Sequence, residues 1–211
     1  MRITYLFDPL CGWCYGAGPV LEELAALKGV TLEFAPTGLF AGMNARPIDA
    51  SFAAYAWQND QRIAQLTGQA FSDAYRSTLF GAAGAMFDSA PATLGIIVVG
   101  LTEPSRELEA LKALQRARYI EGRDNSDLGE VSEILAHAGF AEAARRVRFP
   151  DEELLGAYRR RIEAARADMT YFGADGVPAL VVGEGSGRRL MRSNALFGGF
   201  DALASHIQAT A

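Results

Sequence analysis

The chain holds two cysteines, three positions apart as Cys11-Gly12-Trp13-Cys14, just after the short apolar run Ile3-Thr4-Tyr5-Leu6-Phe7. That placement is restrictive. Ile3 to Phe7 is brief and β-prone, as a buried strand is. Asp8-Pro9-Leu10-Cys11-Gly12 has the composition of a turn. Leu21, Leu24, Ala25 and Leu27 then recur near helical spacing, Lys28-Gly29 ends the helix, and Val30 to Ala35 alternates as a second strand. The cysteine pair is therefore expected where a strand turns into a helix, inside a β-α-β unit.

The chemistry of sulfur explains why that location matters. The thiolate is the attacking species, and the head of a helix offers unpaired N–H groups and partial positive charge that favour it. Cys11 is expected at the helix head, exposed, as nucleophile. Cys14 is expected one turn deeper, within reach to resolve a mixed disulfide. A bridge across so short a loop adds little chain-entropy stabilisation, so redox or metal chemistry explains the pair better. The bland alternative is two cysteines packed as small hydrophobes. A metal site normally needs more ligands than this chain groups together. Its two histidines, His137 and His206, stand singly on expected helices and read as structural or solvated. Beyond the cysteine pair, no metal or cofactor is expected.

The 211 residues suffice for a large domain or for one carrying a sizeable insertion. From about Ser51 to Tyr171 the pattern is helical, with almost no strand. The expected segments are Ser51–Gln65, Gln69–Phe80, a helix opening at Asp88-Ser89-Ala90-Pro91, Leu108–Glu121, Asp127–Ala138 and Glu152–Met169. Ile96 to Val99 is β-branched but is read as helical with its neighbours. Strands return at Pro178–Val182 and Arg188–Arg192 around the turn Glu184–Gly187, and Phe200–Gln208 closes the chain as a helix. The expected division is 1–50 with 172–211 as one domain and 51–171 as a helical insertion.

The net charge of −5 and the scatter of basic residues argue against a nucleic-acid partner. Arg159-Arg160-Arg161 reads as a solvated helix face. The N-terminus lacks the pattern of a secretory signal, and Leu94–Leu101 is too short to span a bilayer. A cytoplasmic location without membrane association is expected, and the oligomeric state stays open.

A Cys-X-X-Cys next to a β-α-β pattern reads as a thioredoxin-like redox motif. The second feature is Asp175-Gly176-Val177-Pro178-Ala179-Leu180-Val181-Val182, with a proline where a strand opens and one ladder donor is dispensable. Strand, Cys-X-X-Cys, helix and strand, a helical insertion, then Gly-Val-Pro before a hairpin and closing helix: this order resembles the DsbA-like branch of the thioredoxin superfamily over essentially the whole chain. Asp8-Pro9-Leu10-Cys11-Gly12-Trp13-Cys14 is similar to the Cys-X-Trp-Cys centres of predicted cytoplasmic disulfide isomerases in that branch. Tyr119–Asp127 is similar to a helix-end segment of the family's insertion. The resemblance implies an α/β, thioredoxin-like fold with a large all-helical insertion. It also implies a cis Pro178 facing the cysteines, and a Val177 whose backbone receives a substrate strand.

The reading is a thiol–disulfide oxidoreductase or isomerase exchanging with protein or small-thiol, glutathione-like disulfides. Its catalytic residues are Cys11, Cys14 and Pro178; its substrate-binding residues are Gly12, Trp13, Val177 and Asp8. Asp8 has two roles open to it, proton relay beside Cys11 or a turn and capping residue. Trp13 and Trp57 either line an apolar groove or pack. Gly198 and Gly199 form a turn or allow close backbone approach to the site. The rivals are a glutathione-dependent isomerase or transferase, which typically has Ser in place of Cys11, and a protein holding an iron–sulfur or zinc site with cysteines from two chains.

Overall fold

The computed structural model describes residues 1–208; the last three residues of the 172–211 segment lie outside the described residues. Strand β1 (Arg2–Phe7) forms the middle of the main sheet, parallel to β2 (Thr31–Pro36). A two-residue ladder joins β3 (Arg46–Pro47) to β4 (Met86–Phe87). That ladder puts a short strand inside the region expected to be helical. β5 (Ala179–Val182) lies antiparallel on the other side of β1, and β6 (Arg189–Met191) completes the order β2-β1-β5-β6. Tyr5 stands opposite Phe34 on one side and Leu180 on the other. Both faces of β1 are covered, which is why its apolar run is nearly continuous. Ile3, Tyr5 and Phe7 enter the main core, while Leu6 meets Ala165, Ala179 and Val181 on the far face.

The helix after the cysteines is broken. α1 (Gly12–Gly16) and α2 (Gly18–Ala26) meet at Ala17. Pro19 has no N–H to return to the carbonyl of Tyr15, and the side-chain amide of Gln69 donates to that carbonyl instead, at 3.2 Å. In the insertion, α3 (Ala50–Thr67) ends at Gly68, whose φ of 75° closes the helix. α4 (Asp73–Gly81) starts later than the sequence pattern suggests, because the Ser72 hydroxyl accepts from the Tyr75 N–H at 3.0 Å. Asp49, Asp127 and Asp151 cap their helices in the same way, each cap contributing about 1 kcal/mol.

α5 (Ala90–Thr102) is the hub. Ala92 through Val99 are all buried, so Ile96–Val99 is helical as expected and is hydrophobic all round. Around it pack α6 (Glu107–Tyr119), α7 (Leu128–His137), α8 (Ala141–Arg148) and α9 (Glu152–Phe172). α8 has no counterpart in the sequence reading. It is only eight residues long and hides its apolar stripe of Ala143, Ala144 and Val147 between charged neighbours. One buried cluster runs from Ile3 and Tyr5 through Ile96 and Leu114 to Val131, so the strands and the inserted helices share a core. α9 lies within 51–171 yet belongs to the sheet's far face. Arg161 donates to Glu107 at 2.6 Å and to the Phe34 carbonyl, and Arg166 donates to the carbonyls of Thr37 and Gly38. Arg161 is thus a tie between elements and not part of a solvated face. α10 (Ser193–Leu196) and α11 (Phe200–Gln208) end the described chain. The whole is an α/β, thioredoxin-like fold in which a large block of helices is inserted between β2 and β5. Among the described residues, no helix is long and apolar enough to cross a membrane.

Candidate active site

Cys11 is the N-cap of α1, with extended backbone at φ −77° and ψ 117°, and its carbonyl accepts from the Tyr15 N–H at 3.0 Å. It retains 8 % exposure, less than the sequence reading expects, and Cys14, one turn on, has none. The Cys11 thiol lies 3.7 Å from the Val177 carbonyl oxygen, its acceptor. The Val177–Pro178 peptide is cis. Burial pushes the Cys14 thiol well above its ordinary pKa, and the neighbouring Cys11 sulfur adds to the effect. Beneath it, the Tyr5 hydroxyl donates to the Cys14 carbonyl at 3.2 Å, and Tyr5 too is raised by burial.

Access to Cys11 is through a cavity of about 340 Å³ between the cysteine loop and the inserted helices; Gly12, Trp13, Phe52, Asp60 and Tyr75 are among its walls. Trp13 meets Phe197 edge-on at 5.2 Å, with the Arg62 guanidinium 5.9 Å from its ring. Gly12 is where α3 crosses α1. A Cβ there would stand 2.6 Å from Asp60 Oδ1, and one at Gly16 would stand 2.6 Å from Ile63 Cγ2. Two glycines four apart lie on one helix face and let α3 come this near. The Tyr119 hydroxyl donates to the Leu10 carbonyl at 2.7 Å, pinning the insertion to the residue before Cys11.

A family model described as a DSBA-like thioredoxin domain matches residues 2–208. The chain belongs to that family. The DSBA-like architecture recurs in solved structures. Cytosolic disulfide reductase DsbM from Pseudomonas aeruginosa is 29 % identical, with 99 % of this chain and 98 % of that one covered at a TM-score of 0.87. The same reductase with GSH is 30 % identical, with the same coverage and a TM-score of 0.82. A putative protein disulfide isomerase from Nitrosomonas europaea is 26 % identical, with 100 % and 98 % covered and a TM-score of 0.77. No curated protein sequence matches the chain. The family is one of DsbA-like thiol–disulfide oxidoreductases.

Within this DSBA-like frame the fold brings Cys11, Cys14, Val177 and Pro178 together, and Gly12 and Trp13 line the cavity. Asp8 is different. It has no exposure, and its carboxylate accepts from the Leu10 N–H at 2.9 Å, the Phe40 N–H at 3.2 Å and the Ser89 hydroxyl at 2.7 Å. Burial raises its pKa against those three bonds. It is therefore a buried tie and not a substrate-touching residue, since no surface of it is open to a substrate. Trp57 lies outside the cavity, in the groove between α3 and α4 with Arg76 4.9 Å from its ring. Gly199 has a φ of 96°, a turn requirement, whereas a Cβ on Gly198 would meet only the Asn194 carbonyl, at 3.7 Å. Sequence reasoning missed Asp60, Tyr75, Tyr119 and Phe197. Tyr119 carried a signal, as the first residue of the segment that resembles the family's insertion, and so did Phe197, as the first residue of the run Phe197-Gly198-Gly199-Phe200.

Proposed function

We propose that the protein reduces disulfides in the cytoplasm, with Cys11 as nucleophile, Cys14 as resolver and a small thiol such as glutathione as its exchange partner. Cys11 thiolate attacks a disulfide sulfur, one thiolate leaves and a mixed disulfide forms. Cys14 then loses its proton and attacks Cys11 Sγ, the second thiolate leaves, and the Cys11–Cys14 disulfide remains. Two thiols of the protein are oxidised as one substrate disulfide is reduced to two thiols.

The observation that carries the reading is the unequal access of the two sulfurs. Cys11 lines the cavity at a helix head, and Cys14 is sealed beneath it. The cavity falls at the small end of ligand pockets, which suits a small thiol. The similar DsbM structure contains GSH. Val177 and Pro178 are proposed to present backbone beside the reacting sulfur.

Cys14→Ser incubated with glutathione disulfide should accumulate a glutathionyl adduct on Cys11, read by intact-mass spectrometry and lost on reduction. Cys11→Ser should trap almost none. Equal trapping by the two variants sinks the assignment of attacker and resolver.

A further inference from the structure

Asp60 sits on α3 and is 4 % exposed. Its Oδ2 accepts from the Tyr75 hydroxyl at 3.0 Å. Among the described residues, nothing hydrogen-bonds Oδ1. That free oxygen faces Gly12, standing 2.6 Å from where a Cβ would be, and Asp60 lines the same cavity as Cys11. A buried carboxylate normally fills its lone pairs, and this one leaves an oxygen open beside the residue that follows the reactive cysteine.

We propose that Asp60 is the acid–base residue for small thiols reacting at Cys11: its carboxylate takes the proton from a thiol entering the cavity. The proposal rests on the reading of Cys11 as the exchanging sulfur. On the oxidised protein the step balances as follows. The thiol R–SH gives its proton to Asp60, and RS⁻ attacks Cys11 Sγ. The Cys11–Cys14 bond breaks, and its electron pair goes to Cys14 Sγ, which takes up one proton from solvent. Asp60 returns its proton to water at the cavity mouth. One proton leaves R–SH, one arrives on Cys14, and a mixed disulfide stands on Cys11. In the reverse direction, protonated Asp60 gives its proton to the departing thiolate.

The chemistry is well matched. Small thiols are mostly protonated at neutral pH and react only as thiolates. Burial pushes Asp60 up to about 7, with the Tyr75 hydrogen bond and the Arg118 charge pulling the other way, and a base poised near the working pH is the most effective. The titratable and charged groups around it are Cys11 from the loop before α1, Tyr75 from α4, Arg118 and Tyr119 from α6, Arg46 from β3 and Tyr55 on its own helix.

The test uses the full-length protein oxidised to the Cys11–Cys14 disulfide, reduced either by mercaptoethanol or by tris(hydroxypropyl)phosphine, a neutral reductant that attacks sulfur with no proton to lose. Loss of the disulfide is followed by quenched alkylation and mass analysis. For Asp60→Asn, the thiol rate at pH 7 should fall about a hundred-fold or more, the scale of general acid–base catalysis. At a pH where mercaptoethanol is already thiolate the two proteins should agree within about two-fold, and the phosphine rates should agree at every pH. An equal loss with both reductants makes Asp60 a shape-keeping residue and overturns the proposal, as does an unchanged thiol rate. Tyr75→Phe removes the hydrogen bond that lowers Asp60, so the midpoint of the thiol pH profile should move upward. A fixed midpoint overturns the proposal even if Asp60→Asn does not fold. A wild type that the phosphine reduces but no thiol does would sink the underlying reading of Cys11 itself.

Discussion

Two aspartates bear on the cysteine loop, Asp8 from the sheet side and Asp60 from the helical side, and both are held above the ordinary carboxylate pKa by burial. They differ in what their oxygens do. Asp8 receives three donors, from the loop, from the segment after β2 and from the start of α5. Asp60 receives one, and its other oxygen faces Gly12 at the cavity. Burial alone therefore does not separate a structural acid from a chemically available one; the count of satisfied lone pairs does.

The largest test of that contrast is Asp8→Ala. It strands two backbone N–H groups and the Ser89 hydroxyl in the interior. At about 1–3 kcal/mol for each orphaned group, the loss should be roughly 5 kcal/mol. Urea denaturation measures it, and a loss below about 1 kcal/mol would mean that the three bonds do not organise the loop.

Asp60 makes a pH-dependent contribution instead. In the folded chain it keeps its proton up to about pH 7, whereas the unfolded chain releases it near 3.9. The folded state binds the extra proton between those values. The stabilisation is therefore present below about pH 4 and is lost as pH rises to about 7. Measured against Asp60→Asn, wild-type stability should decline by up to about 4 kcal/mol across that window. Parallel urea titrations at several pH values would reveal it, and a constant difference would show that the open oxygen is solvated like a surface acid.

The smallest effect concerns the contact itself. Gly12→Ala forces a methyl against Asp60 Oδ1 and to 3.1 Å from Ile63 Cδ1, an overpacking worth about 2 kcal/mol. In an Asp60→Ala background the same substitution should cost clearly less, a coupling read by a double-mutant cycle. Additive costs would place the strain on Ile63 alone.

What the sequence disclosed about this site follows the distance over which each feature is encoded. The strand Ile3–Phe7, the cysteine pair at a helix head and the β5–β6 hairpin are local patterns, readable within a dozen residues. The start of α4 was misplaced because Gln69 fits a helical pattern as well as Asp73 does; the decision came from Ser72 and from Gln69's service to Tyr15. Asp8 reads equally well as a site residue or a turn residue, because only its Leu10 donor is local, while Phe40 and Ser89 are distant in sequence. Asp60 looked like any polar residue on a helix. Its significance arises only when Gly12 and Gly16 let α3 settle on α1, a contact without periodicity to announce it.

The strand order places two segments remote in sequence side by side: β1 pairs with β5, and Cys11 faces the Val177 carbonyl. Synthesis runs from the N-terminus at about 5–20 residues per second, so the nascent chain exposes its thiols on the order of ten seconds before Val177 and Pro178 are made. During that interval β1 has β2 beside it but not β5, and Cys11 lacks the carbonyl that faces it. Assembly of the reactive site is thus deferred until Val177 and β5 are made, and a truncated product ending before Val177 carries both cysteines with no site to use them.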